Sequence, residues 1–455
     1  MIVLQKCKLV SLVILVFASQ LVWGREYGEP DFNSPEFEKR FTGSYGVLSE
    51  KEPPLSDLEK VLLKKLVPLM GVNQDYAMTL LESMLVGEEE SSATFHYLLG
   101  NLYFQNGQYL LSEQEYKEAI DGFPDFQRAW TNLGVLKLRS KDTKAALICF
   151  LKAVELGDTQ SHTFGMLGYC HYSEGNFVSA GIAYDRAILA DPDNTDWLEG
   201  KAQVFFEAER YTEAAQLQDE IIAKDPSSVD NWIAQTNSYI AMKDYAKAVR
   251  NLEIARTFAK DDFKKLHLLG GLYAKLDMYD SAASIFLEAI PYATSKDVGF
   301  LLDASKVLFY QNKQTAEAKR IYKAIKPERY ELTADELLEF KILGAEFQKS
   351  EGDLDGAITI LKEAEELDPL SGKVLLRLAE LYSEKDMMDK AYYVLDRAQG
   401  DGTVEYDALM IRSKLLLEQQ RYKETLVTIA QAMKLKPSAY LDSLYLQVQS
   451  AISDQ

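Results

Sequence analysis

Four histidines (His96, His162, His171, His267) and three cysteines (Cys7, Cys149, Cys170) are the side chains best suited to nucleophilic, acid–base or metal chemistry. Their spacing supports none of it. No two histidines stand at a zinc-helix spacing with a glutamate between them, and no cysteines form a C-x-x-C pair. The G-x-S-x-G nucleophile turn, the phosphate-cradling G-x-x-x-x-G-K-[ST] run and the dinucleotide glycine fingerprint are all missing. Gly270-Gly271 falls inside a helical register, not after a strand. Carboxylates are abundant, but with 70 acidic against 50 basic residues and a net charge of −20 they read as solvated faces. The sequence thus assigns no catalytic, cofactor-binding or metal-ligating residue. The acidic balance also excludes a nucleic-acid binder, which needs a basic surface. An acidic face that attracts a basic partner stays open.

The elements that would position any functional residue come from an internal repeat of about 34 residues. Residues 161–194 show it best: Phe164, Leu167, Gly168 and His171, then Ala180, Tyr184, Ala187 and Pro192. Residues 93–126 give Leu99, Gly100, Tyr103, Tyr116, Ala119 and Pro124. Residues 127–160 give Trp130, Leu133, Gly134, Ala146, Phe150 and Ala153. The offsets recur through 195–228, 229–262, 263–296, 299–330, 335–370 (with one extra residue), 372–405 and 406–438. Each period holds two apolar stripes at helical spacing, separated by turn stretches such as Gln105-Asn106-Gly107-Gln108. Proline closes several periods, where it stops the second helix. One hairpin cannot bury its apolar face alone, so neighbours must stack.

These residues resemble the tetratricopeptide repeat family over about 93–438. The resemblance implies an all-α, right-handed superhelical solenoid of stacked antiparallel helix pairs that binds protein or peptide partners. It sets the boundaries at a repeat block 93–296, a second block 297–438, an N-terminal helical cap or degenerate repeat 55–92 and a C-terminal capping helix 439–455. The weak joints are expected near 297 and 331. His96 and His171 take positions that the family fills with core aromatics. Cys149 and Cys170 fall on adjacent helices, and a disulfide or two buried thiols are both open readings.

In this family the first helix of each repeat lines a concave groove through positions 2, 5, 9 and 12. Here those positions give Tyr97, Asn101 and Phe104, then Arg128, Thr131, Val135 and Leu138. His162, Tyr169 and Tyr172 follow, then Glu199, Gln203 and Phe206, and finally Ile233, Asn237 and Ile240. Asparagine and glutamine can pair with a peptide backbone, and the rings offer apolar contact. The basic residue that a carboxylate clamp for chaperone tails needs at position 5 is replaced by Tyr97, Thr131, Gly165, Glu199 and Ile233. Chaperone-tail binding is therefore not expected.

The N-terminus reads as an export signal over residues 1–24: Lys6 and Lys8, an apolar run over residues 9–18, and Val22-Trp23-Gly24 before Arg25. That run is short for a membrane span. A cleaved signal places the chain in the periplasm or outside the cell; an uncleaved anchor would tether it to a membrane. Residues 25–54 are rich in Gly, Pro, Ser and Glu, studded with Tyr27, Phe32, Phe37, Phe41 and Tyr45. They read as a flexible linker, or as an arm that docks on a partner or on its own groove. The resulting expectation is a non-enzymatic envelope adaptor without cofactors. An accessory part in outer-membrane assembly, secretion or TonB-linked uptake, and a self-associating solenoid, are the alternatives.

Overall fold

The computed structural model describes residues 52–70, 72–85, 92–260, 262–312 and 315–453. The export segment (1–24) and nearly all of the aromatic arm (25–51) lie outside them. The described residues form 23 α-helices, two short 3-10 turns and no strand. They divide into two compact units, the first ending at Lys260 and the second beginning at Asp261.

In the first unit α1 (Asp57–Met70) and α2 (Gln74–Leu85) precede five helix pairs: α3 (Ala93–Gln105) with α4 (Tyr109–Gly122), α5 (Gln127–Arg139) with α6 (Thr143–Glu155), α7 (Ser161–Ser173) with α8 (Phe177–Ala190), α9 (Thr195–Glu207) with α10 (Tyr211–Lys224), and α11 (Val229–Ala241) with α12 (Tyr245–Arg256). The pairs α3–α4, α5–α6 and α7–α8 each close on a glycine beneath a ring. A Cβ on Gly100 would stand 2.8 Å from the Tyr116 ring, and one on Gly168 3.0 Å from the Tyr184 ring. Tyr184 also abuts Gly200 of the following pair. One ring thus fills the gap within its hairpin and the gap to the next, at about 2 kcal/mol of apolar burial.

Successive pairs are tied where a second helix ends. Trp130 Nε1 donates to the Pro124 carbonyl and Trp232 Nε1 to the Pro226 carbonyl, both at 2.9 Å. The proline stops the preceding helix, and its carbonyl anchors the next.

The turn inside each hairpin needs one left-handed residue. Gly107, Gly175 and Gly352 supply it, but so do Lys141, Glu209, Lys243, Asp277, Asp386 and Gln420, with φ between 56° and 62°. The residue after each of them closes the helix end: Gln108 N–H donates to the Tyr103 carbonyl at 2.8 Å and Asp244 N–H to the Tyr239 carbonyl at 2.8 Å.

In the second unit, four pairs run from α13 (Phe263–Lys275) and α14 (Tyr279–Ala289) through α15 (Val298–Asn312) and α16 (Thr315–Ala324) to α17 (Ala334–Ser350) with α18 (Leu354–Leu367) and α19 (Gly372–Glu384) with α20 (Met388–Ala398). A fifth pair, α21 (Glu405–Glu418) and α22 (Tyr422–Leu435), is followed by α23 (Ala439–Ser453). α23 buries Leu441 and Val448 in the cluster that holds Leu409 and Ile429.

Rings bridge both of the expected joints, at 297 and 331. Phe300 lies 5.0 Å from His267 and 6.2 Å from Phe263 across the first. Tyr322 stacks on Phe340 at 4.3 Å, and Phe309 meets Phe347 at 4.8 Å, across the second. The division falls instead between 260 and 261, where no proline closes the repeat.

Candidate partner-binding face

Within the first unit, the first helices α3, α5, α7, α9 and α11 form one layer, and the register places the candidate residues on it. At its start the layer is locked by polar groups. Asn101 is fully buried. Its Oδ1 accepts from Tyr116 OH and from Asn132 Nδ2, each at 2.8 Å, and Asn132 Nδ2 also reaches Tyr97 OH at 3.2 Å. Asn101 Nδ2 has no acceptor, a cost the buried network carries.

Tyr97 is 1% exposed, 4.8 Å from the Phe126 ring and beneath the Arg128 guanidinium. Val135 and Phe104 are buried as well. Tyr97, Asn101, Phe104 and Val135, expected in the groove lining, are thus buried and brace the layer. The periodicity gives the direction of a side chain but not its depth, and neighbouring first helices interdigitate along this line.

Thr131 is half-buried. Its Oγ1 donates to Asp158 Oδ2 at 2.9 Å. Asp158 also accepts from Thr163 Oγ1 at 2.7 Å and from Gln160 N–H at 2.9 Å, so Thr131 ties two repeats together. Position 5 of the next repeat is Gly165, whose missing side chain is replaced by the Trp197 ring. His162 lies 6.2 Å from that ring.

Tyr169, Tyr172, Gln203, Phe206 and Asn237 are all half-buried on α7, α9 and α11. Burial pushes the Tyr172 phenol above its ordinary range. Gln203 Nε2 donates to Glu207 Oε1 at 2.8 Å. Two of these rings hold a hairpin corner at the same time. Tyr172 lies 6.2 Å from Phe177, and Phe206 meets Tyr211 edge-on at 5.3 Å. Phe104 and Tyr109 repeat the arrangement at 5.6 Å, with Arg139 over both rings. Sequence reasoning missed this clasp, although its signal is an aromatic at the first position of six second helices: Tyr109, Phe177, Tyr211, Tyr245, Tyr279 and Tyr422.

The matching layer of the second unit is built differently. Glu339 on α17 meets Lys306 of α15 and Lys373 of α19, each at 2.9 Å, and Arg377 reaches Glu346 at 3.1 Å. Burial alone would raise Glu339, but the two lysines outweigh it and hold its carboxyl below the usual range. This face spends its charges on itself.

No group of side chains with metal-ligand composition occurs among the described residues. Cys149 and Cys170 are buried free thiols, pushed by burial up to about 11 and about 12. Both stay protonated and unreactive at neutral pH. His96 Nδ1 lies 2.6 Å from Glu115. No described helix is long and apolar enough to cross a membrane.

Comparison with known proteins agrees with this architecture. Models of the tetratricopeptide repeat match residues 97–161 and 166–229 in the first unit and 349–414 in the second. The DnaJ homolog subfamily C member 3 of Rattus norvegicus is 21% identical over 335 residues, 67% of this chain and 65% of that protein. The chain thus spans just under two thirds of that relative. The TPR repeat-containing protein YpiA of Bacillus subtilis is 22% identical over 57% of this chain and 61% of its own. Among solved structures, YrrB, described as a TPR protein with an unusual peptide-binding site, aligns with 41% of this chain and 96% of its own at 19% identity and a TM-score of 0.39.

Proposed function

We propose that this chain, which is a tetratricopeptide repeat protein, is a non-enzymatic scaffold holding an extended segment of another protein along α7, α9 and α11. The half-buried cluster of Tyr169, Tyr172, Gln203 and Phe206 carries this reading. Its rings offer apolar area at low rotamer cost, and its amides can pair with both N–H and C=O of a peptide. The opposite build of the second unit, whose first-helix layer is closed by ion pairs, favours the first unit as the binding part.

The test is selection of peptides on the full chain. Tyr172→Ala combined with Phe206→Ala should weaken the selected binders at least about tenfold, as removing a ring from a contact centre does. Tyr172→Phe keeps the ring and should bind as the parent does. Undiminished binding by the double variant sinks the assignment.

Export belongs to the same proposal. It is supported by Lys6 and Lys8 ahead of the apolar run over residues 9–18. A mature chain beginning at Arg25 is the expected result of N-terminal sequencing. A role within an envelope complex follows from export and fails with it.

A second reading, association between copies, has one observation in its favour. The outer side of α8 exposes Val178, Ile182 and Leu189 by 81%, 57% and 84%. Light scattering that shows a monomer at micromolar concentration would remove it.

A further inference from the structure

The chain enters the described structure at the candidate face. Glu52 sits against Arg128 in the first turn of α5, and their side chains are only 7% and 20% exposed. Pro53 is buried beside it. The Arg128 guanidinium lies over the Tyr97 ring, 5.4 Å from its centroid. Beyond Pro54 the chain is fixed by the start of α1, where Ser56 N–H donates to Glu59 Oε2 at 2.6 Å and Glu59 N–H to Ser56 Oγ at 3.2 Å. The described chain thus begins against the first turn of α5, one of the first helices.

We propose that residues 25–51 run along α5, α7, α9 and α11 of their own chain and occupy the face on which a partner docks. The length suffices. These 27 residues reach about 90 Å fully extended and about 40 Å as a helix. Four helices packed about 10 Å apart need only about 30 Å. The chemistry matches as well. Tyr27, Phe32, Phe37, Phe41 and Tyr45 recur every four or five residues, and the layer offers the half-buried Tyr169, Tyr172 and Phe206 rings and the Gln203 amide. The intervening Gly, Pro, Ser and Glu residues cannot build a core of their own, so the five rings gain burial only against another surface.

The Glu52–Arg128 contact tethers this segment at one end. Binding is then intramolecular, at an effective concentration in the millimolar range for a short tether, and a partner has to displace the arm. That regulatory meaning rests on the function proposed above; the docking itself does not.

Hydrogen exchange of the full chain, without any partner, tests the docking. Backbone amides over 27–48 should exchange at least about tenfold more slowly than in a synthetic peptide of residues 25–51. Arg128→Glu should speed them toward the peptide's rate, and the swap Glu52→Arg with Arg128→Glu should restore protection. Circular dichroism of each variant confirms that the helices remain. A photo-crosslinker at Phe37 should attach to α7 or α9 of the same chain. Peptide-like exchange in the parent overturns the proposal, as does attachment to α4, α6 or α8. So does attachment to a second copy in a mixture of light and heavy chains. A protected arm in a chain that selects no peptide would sink the partner reading alone.

Discussion

His267 is enclosed by Phe263, Phe286 and Phe300, with ring centroids 5.8, 5.6 and 5.0 Å away. Burial pushes its pKa down to about 4, against smaller opposing effects of the Phe300 backbone and Asp297. In the unfolded chain the imidazole takes up its proton near pH 6.5, so between there and pH 4 the unfolded state binds more protons. Stability from the neutral ring is complete above pH 6.5 and is lost as pH falls toward 4, by up to about 3 kcal/mol. Urea midpoints measured from pH 7 to pH 4 should fall faster for the parent than for His267→Phe; parallel curves would show that the folded ring takes up its proton as readily as the unfolded one. Gly165 makes the opposite demand on space. Trp197 occupies the place of its side chain, so Gly165→Val must push the indole out at about 1–3 kcal/mol, the usual cost of overpacking. An unchanged urea midpoint would show that the indole moves freely.

At the scale of the hairpin, what the sequence reveals and what it hides separate cleanly. The 34-residue period, the helix pairs and the glycine-under-ring contacts follow from apolar spacing and residue size. The turns do not. Only Gly107, Gly175 and Gly352 announce a left-handed residue there; Asp277 and Asp386 give a weak signal, while Lys141, Glu209, Lys243 and Gln420 adopt the same conformation with none in their type. Tertiary packing of the two helices overrides local preference, and each such residue carries about 1 kcal/mol of backbone strain. Lys243→Gly and Gln420→Gly should therefore each stabilise the chain by about 0.5–1 kcal/mol, less the entropy glycine adds to the unfolded state. Gly175→Ala should destabilise it by a similar amount. Chemical denaturation decides, and destabilisation by both glycine variants would mean that the turns carry no strain. The candidate site was legible to the same degree. Tyr169, Tyr172, Gln203, Phe206 and Asn237 keep partial exposure on the helix face that the register picks out. The register could not see that Asn101 serves Tyr116 and Asn132, or that Tyr97 lies under Arg128, because those depths are set by the neighbouring repeat.

Over the whole chain, stability in a stack of repeats is a sum of local terms, each repeat leaning on the next. A weak step in that sum is where the chain should open first. The repeat register pointed to weak joints near 297 and 331, yet both are crossed by rings and pinned by capping boxes. Thr294 and Asp297 form a capping box, with Thr294 N–H donating to Asp297 at 2.9 Å. Thr333 and Glu336 form another. Tyr330 is buried between them. The segment after α12 has Thr257 and Phe258 exposed and ends one compact unit at an exposed Lys260. Limited trypsin digestion under native conditions samples such openings, because cleavage needs several residues to leave the fold. The first cut should fall after Lys260, giving two fragments that each keep their helical circular dichroism. Lys296 and Arg329 are exposed trypsin sites too, so the comparison is internal to one digest. Earlier cleavage at either of them would mean that the ring contacts across those joints are weaker than the link between residues 257 and 262, and would return the division of the chain to the expected joints near 297 and 331.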